Sequence, residues 1–122
     1  MNSGFRKLIV WQKCHLLVIY IYKITSTFPK NELFGLTSQI RRAIVSVAAN
    51  IAEGNSWRSE KDSMRYLYIA IGSLAEVEYY LLLAKELTYI TKLEYDDAES
   101  QRTNVANMLH GLLRSKKNLA ND

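Results

Sequence analysis

Proline, glycine and cysteine are scarce in this sequence, which has 122 residues but only one proline, five glycines and one cysteine. So little proline and glycine excludes a linker-rich or low-complexity chain, and the length suits one folded domain spanning residues 1–122. The single cysteine, Cys14, cannot form an internal disulfide, which indicates a reducing compartment.

Long hydrophobic runs are also missing from the N-terminal region. Its longest charge-free run is Cys14–Tyr22, nine residues, whereas a membrane-spanning helix needs roughly 20. The same region has no small-residue site of the kind at which signal peptides are cleaved. We therefore expect a soluble, cytoplasmic protein that binds no membrane.

Motifs for phosphate-loop, dinucleotide and zinc-protease chemistry are absent. Cys14 and His15 are adjacent, and adjacent side chains on a helix point about 100° apart, so they make a poor metal pair. His110 follows Arg102 with seven residues between them, an interval longer than that of helical ribonucleases of the HEPN type. A ribonuclease would need His110 open to solvent beside an arginine. We assign no catalytic residue, metal ligand or cofactor, and expect that the protein is not an enzyme.

Helix-start and helix-stop residues divide the chain into four predicted helices. The predicted ranges are Leu8–Thr27, Thr37–Gly54, a third helix from the N-cap Ser59 to Ile90, and Asp96–Lys117. The first ends before Pro29, Thr37 and Ser59 are good N-caps, Gly54 is a good C-cap residue, and Asp96 with Glu99 fits a capping box. Short connections make sequential helices antiparallel neighbours, so we predict an all-α, up-down-up-down four-helix bundle.

The first three predicted helices are apolar nearly all round, whereas the fourth is ordinarily amphipathic. Residues 66–84 carry only two charges, Glu76 and Glu78. Because large exposed apolar patches are uncommon on monomers, we expect these helices to pack against another copy in a homo-oligomer. The alternative is that several tyrosines simply lie half exposed: Tyr66, Tyr68, Tyr79 and Tyr80.

A seam of polar residues interrupts the apolar second and third helices. At 100° per residue its second-helix members fall within a sector of about 80°. The members are Gln39, Arg42, Ser46, Asn50, Glu53, Ser73 and Glu76. A chemical site would require a cleft, a nucleophile or a metal, so we interpret the seam as a structural network that fixes helix register, with Arg42 and Glu76 as a buried ion pair.

The stretch QIRRAIVSVAANIAEG and its surroundings resemble a known family. The matching positions are Phe28-Pro29, Glu32, Gly35-Leu36-Thr37, Gln39, Arg42, Ser46, Asn50-Ile51, Glu53-Gly54, Ser73 and Glu76. The family is that of the four-helix bundle proteins encoded within intervening sequences of bacterial 23S ribosomal RNA genes.

The resemblance implies a bundle fold and a ring-like homo-oligomer, a pentamer. The family is in turn similar to the accessory variability protein of diversity-generating retroelements, a basic pentameric barrel that binds a reverse transcriptase and nucleic acid. The resemblance thus implies a genomic context but no defined activity.

The predicted topology concentrates positive charge at one end of the bundle, which we call the basic end. It joins the start of helix one, the end of helix two, the start of helix three and the end of helix four. Its nine cations against four acidic residues give a net charge of +5, and the rest of the chain, with seven against eight, gives −1. In a ring of parallel subunits, this end would form a basic rim that attracts phosphate backbones.

The candidate nucleic-acid-binding residues are Arg6, Lys7, Lys13, Trp57, Arg58, Lys61, Arg65, Arg114, Lys116 and Lys117. Trp57 could stack on an unpaired base or pack against the helix ends, and cations near the end of helix four could serve only its dipole. The sequence therefore favours RNA or DNA binding, with an adaptor for a protein such as a reverse transcriptase as the alternative.

Overall fold

The computed structural model describes residues 4–56 and 59–121 of the chain. Within these residues it contains four α-helices, two short 3₁₀ segments and no strand, which confirms the prediction of an all-α fold with four helices. The α-helices are α1 (Ile9–Thr25), α2 (Leu36–Gly54), α3 (Glu60–Glu86) and α4 (Lys92–Asn121). The 3₁₀ segments are Gly4–Lys7 and Lys30–Glu32.

One hydrophobic core lies between the four helices. Helices α1 and α3 each contact both α2 and α4. Leu17, Ile44, Leu81 and Leu109, one from each helix, are completely buried. Burial of a side chain of this size contributes about 1.5–3 kcal/mol, so the core holds the four helices together without a metal or disulfide among the described residues.

The end of α1 is closed by an arginine from α2. Arg41 Nε donates a hydrogen bond to Thr25 Oγ1 at 2.9 Å, and its terminal nitrogen donates to the carbonyl oxygen of Tyr22 at 3.2 Å. The last carbonyls of a helix lack intrahelical donors, and Arg41 supplies one. Helix α1 ends at Thr25 rather than Thr27, because the chain tightens into turns of the 3₁₀ type before Pro29.

The start of α2 differs from the prediction. Thr37 is not the N-cap but lies buried in the first turn, and Gly35 occupies the cap position. The side chain that satisfies the helix end belongs to Glu32, whose Oε1 accepts from the Leu36 N–H at 3.2 Å. A negative charge is favourable there because the helix dipole places positive charge at its N-terminus.

The junction of α2 and α3 is a close contact between backbones. Ser63 Oγ donates a hydrogen bond to the carbonyl oxygen of Gly54, and both residues are buried. A Cβ on Gly54 would lie 3.2 Å from the carbonyl oxygen of Ser63. Gly54 was predicted as a C-cap residue, but it is the last helical residue, and it is small because α3 approaches closely. Ser59, as predicted, is the N-cap of α3 and accepts from the Asp62 N–H at 3.3 Å.

Helix α3 ends at Glu86, earlier than the predicted Ile90. The N–H of Tyr89 donates to the carbonyl of Ala84, and the N–H of Thr88 donates to the carbonyl of Lys85. This pair of bonds is the Schellman arrangement, which places the residue after the C-cap in the left-handed region. Thr88 occupies that position with φ 63°, so a β-branched residue adopts a conformation that favours glycine.

Helix α4 begins at Lys92, before the predicted capping box at Asp96 and Glu99. The capping box that forms uses Thr91 and Glu94. Thr91 Oγ1 accepts from the Glu94 N–H at 3.0 Å, and Glu94 Oε1 accepts from the Thr91 N–H at 2.9 Å. Asp96 instead pairs with Lys92 on the surface of the helix.

One helix, α3, is long and apolar enough to cross a membrane by length and composition alone. Core helices of soluble proteins pass the same test, so this property does not identify a membrane protein.

We predict that Thr88→Gly raises the free energy of unfolding by about 0.5–1 kcal/mol, because the left-handed conformation costs a residue with a Cβ about 1–2 kcal/mol and the extra chain entropy of glycine offsets part of this. Urea unfolding followed by circular dichroism measures the change. Thr88→Ala is the matched control and should gain nothing, because alanine keeps the Cβ. A glycine variant no more stable than the alanine variant contradicts the prediction.

We predict that Thr91→Ala and Glu94→Ala each destabilise the protein by about 1 kcal/mol, as expected for loss of a helix cap. Asp96→Ala should cost less than about 0.5 kcal/mol, since it removes only an exposed ion pair. Chemical unfolding of the three variants distinguishes the two possible capping boxes. A larger loss for Asp96→Ala than for Thr91→Ala would place the functional cap at Asp96.

Candidate nucleic-acid interface and polar seam

Side-chain contacts bring the elements of the predicted basic end together. Lys116 Nζ lies 3.2 Å from Glu60 Oε2, and Lys117 Nζ lies 5.8 Å from the centre of the Tyr68 ring. The end of α4 is therefore beside the start of α3. Phe5 and Ala52 line one shared depression, which places the 3₁₀ segment Gly4–Lys7 beside the end of α2.

Two of the predicted cations at this end are paired with acidic residues in the first turn of α3. Arg65 lies 3.6 Å from Asp62, and Lys116 lies 3.2 Å from Glu60. Glu60 and Asp62 also suit the positive end of the α3 dipole. Arg65 and Lys116 are thus less available to a phosphate than the net charge of the basic end alone indicates.

The other described cations of the basic end are exposed. Within residues 4–56 and 59–121, none of them forms an ion pair with a carboxylate. They are Arg6, Lys7, Lys13, Lys61, Arg114 and Lys117. Trp57 and Arg58, which were also predicted to bind nucleic acid, lie outside the described residues.

Away from the basic end, some cations are engaged by the protein itself. Lys92 Nζ lies 2.7 Å from Asp96, and Arg102 Nε lies 2.6 Å from Glu99. The hydrogen bonds to these carboxylates raise the pKa of both cations above its usual value. Lys85 lies over the Tyr95 ring at 4.7 Å. Lys23, Lys30 and Arg42, by contrast, are exposed there and form no ion pair among residues 4–56 and 59–121. The two regions therefore differ in net charge rather than in the availability of their cations.

A stack of aromatic side chains at the start of α1 was not predicted as a feature of this end. The Trp11 and His15 rings are parallel within 6° with centres 5.0 Å apart, and Phe5 meets Trp11 edge-on at 5.0 Å. The spacing of Trp11 and His15, four residues on one helix, was the signal in the sequence that could have identified this stack.

The polar seam forms hydrogen bonds between α2 and α3. Ser46 Oγ and Ser73 Oγ lie 3.0 Å apart, and Asn50 Nδ2 donates to the carbonyl oxygen of Ser46 at 2.8 Å. Asn50 Nδ2 also lies 3.2 Å from Ser46 Oγ. These three side chains therefore join the two helices at the middle of their contact.

The expected Arg42–Glu76 ion pair is not formed within the chain. Both side chains are exposed, and no ion pair among residues 4–56 and 59–121 includes either. Glu76 accepts a long hydrogen bond of 3.4 Å from Tyr80 instead. Gln39 and Glu53, the remaining seam residues, are exposed as well. The reason is that the seam lies at the outer edge of the α2–α3 contact, where only its central members are enclosed.

His110 lies open to solvent and lines a depression of about 160 Å³ together with Arg102 and Glu78. This meets the geometric requirement that a ribonuclease would have. However, Arg102 donates to Glu99 at 2.6 and 3.0 Å and to Glu78 at 3.2 Å. Two carboxylates around this arginine leave little positive charge to hold a phosphate.

Cys14 is completely buried, and burial raises the pKa of its thiol to about 12. A thiol with so high a pKa is a poor nucleophile and metal ligand. Among the described residues no group of three or more His, Cys, Asp and Glu side chains is placed to hold a metal ion.

We predict that Ser73→Ala costs about 1 kcal/mol, because it removes one hydrogen bond and leaves Ser46 with Asn50 as its remaining partner. Ser73→Ala in an Asn50→Ala background should cost more, because Ser46 Oγ then loses both partners. Thermal unfolding of the single and double variants measures this coupling. Strictly additive losses would show that the three side chains do not act as a network.

Comparison with known proteins agrees with this architecture. A crystal structure, at 1.70 Å, of a protein of unknown function from the S23 ribosomal protein family of Bacteroides thetaiotaomicron VPI-5482 is similar, with a TM-score of 0.77 and 28% sequence identity. The similarity covers 86% of this chain and 98% of that one. No curated protein matches the chain. The family model of the 23S rRNA-intervening sequence protein matches residues 6–111, and the chain therefore belongs to that family.

Proposed function

We propose that this chain forms a ring-like homo-oligomer of antiparallel four-helix bundles, a pentamer, and binds RNA or DNA backbones through its basic end without catalysing a reaction. The observation that carries this proposal is the set of exposed cations at the basic end that form no ion pair among residues 4–56 and 59–121. Such a surface attracts phosphates by charge and carries little sequence preference. We place this activity in the cytoplasm, as the single unpaired cysteine suggests.

The contacts between helices support the antiparallel topology. Ser46 of α2 contacts Ser73 of α3, and Gly54, further along α2, contacts Ser63, which lies earlier on α3. This order is the one expected of two antiparallel helices. The contact between Lys116 and Glu60 likewise joins the end of α4 to the start of α3. In a ring whose axis follows the helices, every copy would present its basic end on the same side, so the charges of the copies would add.

The exposed apolar residues support assembly. On α3, Tyr68 is 50% exposed and Tyr79 is 58% exposed, and on α1 Leu16 and Ile19 are exposed to a similar degree. A solitary bundle would leave all of them in water at a cost. Packing against other copies would remove them from solvent.

We also propose that His110 and Arg102 do not cleave RNA. His110 and Arg102 share a depression, but the arginine is held by Glu78 and Glu99. A phosphodiester would have to displace these carboxylates to gain the arginine. This arrangement favours a structural role for Arg102.

An adaptor for a protein partner, such as a reverse transcriptase, is the second candidate. It is favoured by an open depression of about 700 Å³ between α1 and α4. Leu16 and Ile19 form its apolar part, and Lys13 and Lys23 lie at its two ends. This surface would accept an acidic, amphipathic segment of another protein.

Fluorescence anisotropy with a labelled RNA stem-loop, a DNA duplex and a single strand, at low and near-physiological salt, tests nucleic-acid binding. We predict binding that weakens steeply with salt. Combined reversal of Lys61, Arg114 and Lys117 to glutamate should abolish binding at near-physiological salt. In the binding that remains at low salt, it should lower the slope of log affinity against log salt by roughly 3, since each phosphate contact contributes about 0.9.

The matched control reverses Lys23, Lys30 and Lys85 to glutamate, which changes the net charge equally but lies away from the basic end. This control should bind less tightly than the wild type but far more tightly than the basic-end variant. Equal losses in the two variants would show a response to net charge alone. Absence of binding at low salt would exclude the basic end as a polyanion site and favour the protein adaptor.

A further inference from the structure

Helix α3 carries an exposed ridge centred on a glycine. Gly72 lies in the middle of this 27-residue helix, and a Cβ added there would meet nothing within 4 Å. Around it Tyr68, Ile69 and Tyr79 project with exposures of 50%, 47% and 58%. We call these four residues the α3 ridge. Glycine disfavours a helix interior, and the packing within the chain gives no reason for it here, whereas close approach by another molecule would.

An apolar groove lies between α1 and α2. It has a volume of about 300 Å³, and its lining is almost wholly apolar. Trp11, His15 and Val18 form one wall, and Ala48, Ala49 and Ala52 form the other. We call this the α1–α2 groove. The alanines leave space beside the large rings of the opposite wall, so the groove can receive bulky side chains.

Tyr68, Ile69 and Gly72 of the ridge lie near the level of the groove along the bundle, and Tyr79 lies about two turns beyond Gly72. Ser46 on α2 contacts Ser73 on α3, which places Ala48 and Ala49 close to the level of Gly72 and Ile69. Arg42, one turn before Ser46, is correspondingly at the level of Glu76, one turn after Ser73. Arg42 borders the groove, because Val45 lines both the groove and a neighbouring depression that contains Arg42.

Arg42 and Glu76 carry opposite charges on these two surfaces. Both are exposed, and neither forms an ion pair among residues 4–56 and 59–121. Arg42 stands at the groove, and Glu76 stands beside the ridge. Two copies related by rotation about an axis along the helices keep their levels, so Glu76 of one copy would meet Arg42 of the next.

We infer that the α3 ridge of one copy docks into the α1–α2 groove of the next copy, with Glu76 pairing to Arg42 across the contact. The inference rests on the proposed ring and names the surfaces that close it. Three observations agree: bulky side chains of the ridge would face the alanines of the groove, Tyr68, Ile69 and Gly72 lie near the level of Ala48 and Ala49, and Arg42 and Glu76 would each gain an ionic partner. Ridge and groove are different surfaces of one chain, so the contact is head-to-tail, as a closed ring requires.

Charge exchange between Arg42 and Glu76 tests this contact, with molar mass measured by size-exclusion chromatography and light scattering. Arg42→Glu and Glu76→Arg should each weaken subunit association roughly tenfold or more, as for other close charge pairs between proteins. The double variant Arg42→Glu with Glu76→Arg should recover the mass of the wild type. Lys30→Glu, a reversal of an exposed charge in the connection between α1 and α2, is the matched control and should keep the wild-type mass.

Gly72→Leu supplies an independent variant that is expected to fold. The chain has open space at this position, so circular dichroism should show unchanged helix content while the mass falls. A monomeric wild-type chain, single charge variants that assemble as the wild type does, or a double variant that stays dissociated would each overturn the inference. Anisotropy with the RNA stem-loop on the same variants separates this result from the proposed function, because that binding depends on Lys61, Arg114 and Lys117.

Discussion

The close packing of α2 against α3 is the contact on which the other features of the structure depend. Two hydrogen bonds fix it at two heights along the helices: the Ser63 hydroxyl donates to the Gly54 carbonyl oxygen, and the Ser46 and Ser73 hydroxyls bond to each other. At Gly54 the backbones approach so closely that a Cβ would crowd Ser63. This contact sets the level of every residue on α3 relative to α2. The positions of the α3 ridge beside Glu76, of the groove beside Arg42, and of the start of α3 at the basic end all follow from it.

The number and type of elements could be predicted from the sequence because the decisive signals are local. Pro29 disfavours the helical conformation for the residue before it, so α1 has to end before Pro29. Ser59 caps α3 with its own hydroxyl. The start of α4 shows where local signals fail. Thr91 with Glu94 and Asp96 with Glu99 both fit the spacing of a capping box. The choice between them depends on tertiary contacts, because Ile90 is buried and Tyr89 donates to Glu32 at 2.8 Å.

The roles of Glu32 and Arg41 could not be predicted from local sequence signals either. Glu32 caps α2 and accepts from Tyr89, 57 residues further on, and Arg41 closes α1 from α2. Both act through contacts between elements, which periodicity does not encode.

At the candidate site, too, one part could be predicted from the sequence and another could not. The sign and location of its charge could be read from the sequence and a predicted topology. The engagement of Arg65 and Lys116 by acidic residues of α3 could not, because it depends on where individual side chains lie.

Several polar side chains buried in this fold have hydrogen-bond partners, whereas Ser56 Oγ is buried without one among the described residues. Thr25, Ser63 and Ser73 are buried, and each has a hydrogen-bond partner. Arg102 and Lys92 pair with carboxylates close by in sequence. Arg42 and Glu76 differ from these groups: they face solvent at one level and form no ion pair among residues 4–56 and 59–121, beside an exposed apolar ridge and an apolar groove. Their placement is explained if the folded chain is one unit of a larger assembly, in which the α2–α3 contact first positions the surfaces and a second copy then covers them.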